Sequence, residues 1–179
     1  GVLLVGLPGC GKSLAAQAAA SIMDLPLIRL DVGSLMGRWL GESERNLRDA
    51  LASAEAAAPC VLWVDELEKA LGGLAGDDGG GTGKRMLGRL LTWMQENESG
   101  VYLFATANQV DVLPPELLRR GRFDELFMVG LPGEKEREEI LEIHLRRWSS
   151  RLSATDLATA VTRTDRFTGA DIEALVKEA

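Results

Sequence analysis

Short runs of apolar residues recur along the chain with few polar positions among them. Five such runs cover residues 2–5, 27–32, 60–64, 101–107 and 126–131. Apolar and polar residues do not alternate in these runs, which is typical of strands buried on both faces of a parallel sheet. The pattern therefore predicts a five-stranded parallel sheet.

Segments with a helical pattern separate these strands. Residues 12–23 follow the first strand, 42–57 follow the second and 84–96 follow the third. Repeated alternation of strand and helix requires crossover connections, which are right-handed and place helices against the sheet. The predicted fold class is α/β, a three-layer sandwich.

After residue 131 the apolar runs stop, and only helical patterns continue. Residues 134–147 have an acidic first turn and a basic last turn, which suits the helix macrodipole. Two further helices are predicted at 154–162 and 168–179, with Ser153 and Thr168 as N-caps. We therefore expect an α/β subdomain over residues 1–131. A small helical subdomain over 132–179, trimmed before its natural end, completes the expected organisation.

The composition excludes several classes of protein. The chain has 179 residues, 46% hydrophobic and 26% charged, which is typical of one soluble domain with a small appendage. A net charge of −7 argues against broad nucleic-acid binding. No apolar run is long enough for a bilayer span and no leader pattern opens the chain, so we expect no membrane association and a cytoplasmic location. Cys10 and Cys60 favour neither a disulfide framework nor a zinc site.

The segment between the first strand and the first helix has the pattern of a phosphate-binding loop. Residues 6–13 read Gly-Leu-Pro-Gly-Cys-Gly-Lys-Ser and match GxxxxGK[ST] in full. Glycines let backbone N–H groups point inward, and the helix N-terminus adds partial positive charge for a phosphate. Lys12 is predicted to bridge the β- and γ-phosphates of ATP, and Ser13 to bind Mg²⁺. The alternative is a glycine-rich turn with a surface lysine. The predicted nucleotide contacts of this loop are Gly9, Cys10, Gly11, Lys12, Ser13 and Leu14.

Two adjacent carboxylates end the third predicted strand. Asp65 and Glu66 follow the apolar residues 61–64. Strand alternation points the two side chains in different directions, which suits two tasks. Phosphoryl transfer needs charge neutralisation and a positioned nucleophile. Asp65 is therefore predicted to hold Mg²⁺ through water, and Glu66 to take a proton from the attacking water. A strand that simply ends in solvated acids is the alternative.

Three further segments make a family resemblance specific. Residues 104–108 read Phe-Ala-Thr-Ala-Asn, 114–124 read Pro-Pro-Glu-Leu-Leu-Arg-Arg-Gly-Arg-Phe-Asp, and 167–171 read Phe-Thr-Gly-Ala-Asp. Together with the phosphate loop and the two carboxylates, their order resembles that of AAA ATPases of the classical clade, over essentially the whole chain. The sequences of several segments look most like those of AAA proteins encoded by an open reading frame of cyanobacterial and algal plastid genomes and their bacterial relatives. The resemblance implies a P-loop NTPase fold with a helical lid.

The same resemblance implies roles for an amide and two arginines. Asn108 corresponds to the residue that orients the lytic water and senses the γ-phosphate. Arg119 and Arg122 match arginine fingers, which reach nucleotide bound to a neighbouring subunit, so isolated monomers are expected to hydrolyse poorly. An Asn that caps a strand end and a solvated basic turn are the alternatives. Homo-oligomeric rings, usually hexamers, with sites at subunit interfaces are implied as well.

Nucleotide contacts in the predicted lid also follow from the resemblance. His144 occupies the place of a histidine near the ribose and adenine. Gly169 and Ala170 match the segment in which this clade lacks the second sensor arginine of other branches. Without the resemblance, a lone histidine in a helix is more often a packing residue.

An aromatic loop follows the second predicted strand. Trp39 and Leu40 lie between Gly37 and Gly41. In the clade this segment is the first pore loop, which grips a polypeptide in the channel of the ring. Packing of Trp39 under the loop or at a subunit contact is the alternative. The glycine-rich residues 72–83 lie near the second pore loop by the same resemblance, or form a disordered linker.

The leading hypothesis is an ATP- and Mg²⁺-dependent ring motor that remodels or threads polypeptides. A nucleotide-gated assembly module is one alternative, and a P-loop kinase acting on a small molecule is another. Glu66 argues against the first, because a scaffold needs no general base. Arg119 and Arg122 argue against the second, and the acidic charge disfavours a role on DNA.

Overall fold

The computed structural model describes residues 1–31, 42–68, 82–119, 121–148 and 152–178, and of residues 82–84 the backbone only. A short 3₁₀ helix, Pro115–Leu118, precedes the last strand. The strands and helices are, in chain order, β1 (Val2–Gly6), α1 (Lys12–Ile22), β2 (Leu27–Leu30), α2 (Glu42–Ala56), β3 (Cys60–Val64), α3 (Thr82–Glu96), β4 (Val101–Ala107), β5 (Glu125–Val129), α4 (Glu134–Arg147), α5 (Ala154–Arg163) and α6 (Gly169–Glu178).

The strands form one sheet in the order β2-β3-β4-β1-β5. β2 pairs with β3, β3 with β4, and β4 with β1, and each of these pairs is parallel. Every residue of β3 is buried, as expected of a central strand with helices on both faces of its sheet. The predicted α/β class and the five-stranded parallel sheet are confirmed.

β5 departs from the buried character that was predicted for residues 126–131. It is the last strand of the sheet order, and Leu126, Phe127 and Met128 are 40%, 51% and 68% exposed. An edge strand has a neighbour on one side only, so fewer atoms are available to cover its side chains. Apolar composition alone does not distinguish an edge strand from a central one.

The chain divides into two compact units. The first comprises residues 1–5 and 13–128, and the second comprises residues 6–12 and 129–179. The division into subdomains 1–131 and 132–179 stays a prediction. The core of the first unit joins the central strands to α2 and α3 through buried side chains that include Leu47, Leu51, Leu62, Met86 and Leu90.

The helices of the second unit pack around Leu141, Val161 and Ile172. Both predicted N-caps are present. The hydroxyl of Ser153 accepts from the N–H of Asp156 at 3.2 Å, and that of Thr168 accepts from the N–H of Asp171 at 3.2 Å. Such bonds satisfy N–H groups that the first helical turn leaves without partners. No helix among the described residues is both long and apolar enough to cross a bilayer.

Candidate functional site

The predicted phosphate loop connects β1 to α1 through a backbone that needs glycine at three places. Gly9 and Gly11 have φ angles of 81° and 87°, a left-handed conformation that side chains other than glycine rarely adopt. Gly6 has a different requirement, because a Cβ there would lie 2.0 Å from the carbonyl oxygen of Val129. The glycines of the motif are therefore required by this backbone path.

Lys12 is folded back onto this loop. Its side chain is 7% exposed, and Nζ donates to the carbonyl oxygens of Gly6 at 2.7 Å and Leu7 at 2.8 Å. An ammonium group has three N–H donors, so these two bonds hold the charge inside the loop without using its full capacity. A cation in a glycine-rich loop at a helix N-terminus is available to a phosphate group that replaces these two carbonyl oxygens.

A segment of the predicted lid lies directly against the phosphate loop. The N–H of Ala170 donates to the carbonyl oxygen of Gly9 at 3.1 Å. A Cβ on Gly9 would lie 2.7 Å from the hydroxyl of Thr168, and a Cβ on Gly169 would lie 3.2 Å from the Gly9 oxygen. Gly169 and Ala170, both predicted nucleotide contacts, are therefore brought next to the loop.

The N-cap of α6 orders this lid segment. Thr168 donates both its backbone N–H and its hydroxyl to Asp171 Oδ2, each at 2.8 Å. These two bonds, the backbone one foremost, lower the pKa of the Asp171 carboxyl. The charged carboxylate in turn holds the turn that presents Gly169 to Gly9.

For the remaining predicted nucleotide contacts, the structure gives the burial of the side chains. Leu14 is 66% exposed on α1, and Cys10 is half-buried in the loop. His144 is half-buried on α4, and its Nδ1 is buried without a hydrogen-bond partner in the described ranges. An imidazole nitrogen in that state has unused capacity for a polar ligand.

Asp65 lies at the centre of a hydrogen-bonded cluster in the first unit. Its Oδ1 accepts from the hydroxyl of Ser13 at 2.9 Å and from that of Thr106 at 2.7 Å. In the parallel pair of β3 and β4, Val64 lies beside Ala105. The residues that follow them, Asp65 and Thr106, are therefore brought together. The structure thus joins the two residues that were predicted to bind Mg²⁺.

Glu66 is held in an unusual backbone conformation. Its φ is 51°, in the left-handed region that a residue with a side chain adopts only at some cost. The N–H of Glu66 donates to the hydroxyl of Thr106 at 3.0 Å. Thr106 therefore ties both carboxylate residues to β4, and the left-handed turn sets the direction in which the Glu66 side chain leaves the strand.

Asn108 lies beside Glu66. This proximity is required if both residues are to act on the same attacking water, as predicted. Asn108 Nδ2 is 3.4 Å from Glu66 Oε1, which is a long hydrogen bond. The backbone N–H of Asn108 donates to Glu68 Oε1 at 3.0 Å, while Glu68 Oε2 is buried with no partner among the residues described. Glu68 therefore fixes the end of β4 from which the Asn108 amide projects.

The predicted arginine fingers follow the 3₁₀ helix. Arg119 is exposed. Arg122 is half-buried, and its Nη1 donates to the carbonyl oxygen of Glu116 in the 3₁₀ helix. The Nε of Arg122 is buried and finds no acceptor in the part of the chain that the structure describes. Trp39 and Leu40, the predicted substrate-gripping pair, lie outside the described residues.

Three residues of the cluster were not predicted to have roles. Thr106 belongs to residues 104–108, a segment that was singled out for its terminal Asn108. The contact of Thr106 with Asp65 depends on the register between β3 and β4. Glu68 lies two residues beyond the predicted carboxylates, and no motif in its segment marks it. Arg29 lies on β2, and its Nη2 is 3.4 Å from Asp65 Oδ2. Strand order, which composition does not reveal, brings this residue to the site.

The oxygens of Ser13 and Asp65 fit a magnesium ion. Mg²⁺ prefers oxygen ligands, keeps several water molecules, and binds proteins through one or two side chains together with phosphate oxygens. A hydroxyl and a carboxylate oxygen 2.9 Å apart supply that set. Among the described residues, no group of three or more His, Cys, Asp and Glu could hold a metal ion.

Replacing Thr106 by Val tests the importance of its hydroxyl. Thr106 is 1% exposed, and Val has nearly the same shape, so the change removes hydrogen bonds without opening a cavity. The Thr106 hydroxyl no longer bonds to the Glu66 N–H and to Asp65, and the free energy of unfolding is expected to fall by about 1–3 kcal/mol. Denaturant unfolding measures this change. Thr159→Val, on the exposed face of α5, is the control, and an equally small effect of both changes would contradict the assigned role.

The parallel sheet, the phosphate loop and the two carboxylates define a P-loop nucleotide-binding protein. Residues 2–131 match the family described as "ATPase family associated with various cellular activities (AAA)". The match covers more than half of the chain, and the chain belongs to the AAA family. The resemblance drawn from its motifs is confirmed.

Similar proteins share the whole length of this chain. The AAA domain-containing protein ycf46 of Guillardia theta is 47% identical over 180 residues, which cover 100% of this chain and 36% of that protein. Those of Pyropia yezoensis and of Gracilaria tenuistipitata var. liui are each 44% identical, over 100% of this chain and 37% of theirs. The chain therefore spans a little more than a third of these relatives, and the narrower resemblance to AAA proteins of plastid genomes is confirmed as well.

Proposed function

We propose that this chain is the catalytic core of an Mg²⁺-dependent ATP hydrolase. The observation that carries the proposal is the connected series Ser13, Asp65, Thr106, Glu66 and Asn108. It combines a metal-binding pair with a carboxylate and an amide that can share one water. Ser13 also completes the GxxxxGK[ST] motif, so phosphate binding and this cluster meet in consecutive residues of one segment.

The phosphate loop binds and orients the triphosphate. Its backbone N–H groups and the N-terminus of α1 face the β-phosphate, and the Lys12 ammonium exchanges its carbonyl partners for β- and γ-phosphate oxygens. Ser13, and Asp65 through water, would hold Mg²⁺, which would supply charge neutralisation at the phosphate oxygens.

Glu66 and Asn108 act on the attacking water. Asn108 orients the water, and Glu66 accepts one of its protons while the water oxygen bonds to the γ-phosphorus. The bond from the γ-phosphorus to the bridging oxygen breaks, and its electron pair leaves with ADP. The products are ADP, phosphate and one proton on Glu66.

The wider activity that we propose is that of a ring motor. Arg119 and Arg122 would reach nucleotide on a neighbouring copy, which makes oligomerisation, as a hexamer, a requirement for fast hydrolysis. A polypeptide gripped by Trp39 and Leu40 in the channel is the proposed substrate, without involvement of membrane or nucleic acid. Family membership supports this assembly, and a single copy would be slow because no neighbour supplies an arginine to its site.

Lys12→Met tests the proposed function. Loss of the ammonium removes a charged hydrogen-bond donor to the phosphates, so affinity for ATP is expected to fall about tenfold or more. Calorimetric titration with ATP and Mg²⁺ measures affinity, and released phosphate measures turnover. Lys135→Met, an exposed lysine of α4, is the matched control and should leave both unchanged.

The result separates the proposed function from its alternatives. Unchanged ATP affinity in Lys12→Met would show that the loop does not bind the triphosphate. Phosphate transferred from ATP to an added acceptor rather than to water would identify a kinase. Tight ATP binding with assembly but without turnover at any protein concentration would identify an assembly module.

A further inference from the structure

The Asp65 carboxylate uses both of its oxygens in this structure. Oδ1 accepts from the hydroxyls of Ser13 and Thr106, whereas Oδ2 faces Nη2 of Arg29 at 3.4 Å. The carboxylate that is proposed to hold hydrated Mg²⁺ is thus already paired with a cation that belongs to the chain.

Strand register explains how Arg29 reaches Asp65. Arg29 on β2 lies directly beside Trp63 on β3, and Asp65 follows Trp63 by two residues. Neighbours in register, and residues two apart in a strand, share one face of a sheet. Arg29, Trp63 and Asp65 therefore lie on the same face.

The Trp63 indole supports the Arg29 side chain. The guanidinium carbon lies 5.0 Å from the ring centroid, within the range of a cation–π interaction. Trp63 is 6% exposed, so its ring is a fixed surface rather than a mobile partner. The cation is held next to Asp65 by two contacts, one to the ring and one to the carboxylate.

The ion pair between Arg29 and Asp65 forms in this structure, but it is weak enough for a divalent cation to displace Arg29. The Arg29 side chain is 61% exposed, so water screens its attraction to Asp65, which is itself only 19% exposed. A divalent cation at Asp65 carries twice the charge of the guanidinium and repels it at short distance.

We propose that Arg29 competes with hydrated Mg²⁺ for the Asp65 carboxylate and thereby sets the Mg²⁺ concentration at which nucleotide binds tightly. The inference rests on the proposed function, since it concerns the metal of that site. Arg29 is a positioning residue in this role, because it acts on nucleotide through Asp65. Its removal is expected to strengthen binding that depends on Mg²⁺ and to leave binding without Mg²⁺ unchanged.

Arg29→Gln tests the competition by titration with ADP at a series of free Mg²⁺ concentrations. The half-saturating Mg²⁺ concentration is expected to fall on the order of threefold to tenfold relative to the unsubstituted protein. ADP affinity in the presence of a chelator should change by less than about twofold. These are binding measurements, so they do not depend on turnover.

Two further variants assign the effect to the charge beside Asp65. Arg45→Gln makes the same charge change on α2, where Arg45 is 76% exposed and pairs with Asp49, and it should not shift the Mg²⁺ dependence. Arg29→Lys keeps a cation at the site but loses the planar guanidinium that stacks on Trp63, so its half-saturating Mg²⁺ concentration should lie between those of the unsubstituted protein and Arg29→Gln.

Each other outcome overturns the inference. An unchanged or raised half-saturating Mg²⁺ concentration in Arg29→Gln would show that Arg29 does not compete with the metal. A shift of equal size in Arg45→Gln would assign the effect to net charge. ADP binding that is equal with and without Mg²⁺ in the unsubstituted protein would leave Arg29 no metal to compete with, which overturns the inference, whereas the proposed function is tested separately by ATP affinity and turnover of Lys12→Met.

Discussion

Glu66→Gln is expected to slow ATP hydrolysis about a hundredfold to ten-thousandfold while nucleotide still binds. The amide has the size of the carboxylate and can still accept from Asn108, but it does not take a proton from water. The backbone turn at residue 66 and its bond to Thr106 are unaffected by the change. Released phosphate measured in single-turnover reactions, together with ATP affinity, separates the chemical step from binding.

Glu68→Gln is the matched control for this loss. Glu68 is two residues away, and its Oε1 accepts from the Asn108 N–H, which an amide oxygen also does. Its turnover should stay within about threefold of the unsubstituted value, because the same acceptor remains. Equal turnover of Glu66→Gln and the unsubstituted protein would mean that another group takes the proton.

Arg122→Ala is expected to lower turnover about a thousandfold or more, the effect typical of a missing arginine finger. Nucleotide affinity should change little, because the arginine acts on nucleotide held by another copy. Without substitution, turnover per chain should rise with protein concentration as copies associate. Arg146→Ala on α4, 71% exposed and paired with Glu142, is the control.

Mixing two inactive variants shows whether the arginine acts between copies. Arg122→Ala retains an intact carboxylate cluster, and Glu66→Gln retains an intact arginine. A mixture should regain turnover if the arginine of one copy completes the site of another. Turnover independent of concentration, with no recovery on mixing, would contradict the ring mechanism.

The phosphate loop and the carboxylate pair could be predicted because their chemistry is local. Gly9 and Gly11 are required by backbone conformation within one turn, and Asp65 follows its strand directly. Local requirements of this kind leave a pattern in consecutive residues. The structure places Ser13 beside Asp65 and Asn108 beside Glu66, and the role of Asn108 was implied by the family resemblance.

Contacts across the sheet could not be predicted in the same way. Thr106 and Arg29 reach Asp65 because β4 and β2 are the two neighbours of β3. Neither residue is close to Asp65 in the sequence, and nothing in its own segment indicates the pairing. The exposure of β5 has the same origin, since position in the sheet rather than composition determines burial.

The exposed β5 edge has a practical consequence for any measurement of assembly. As the outermost strand of the sheet that the described residues form, it offers backbone N–H and C=O groups on one side, next to the exposed Phe127 and Met128. Strands of this kind pair with other chains and promote aggregation. A lysine in place of Met128 should suppress such edge-to-edge association, so that any remaining dependence of turnover on concentration reports the productive oligomer.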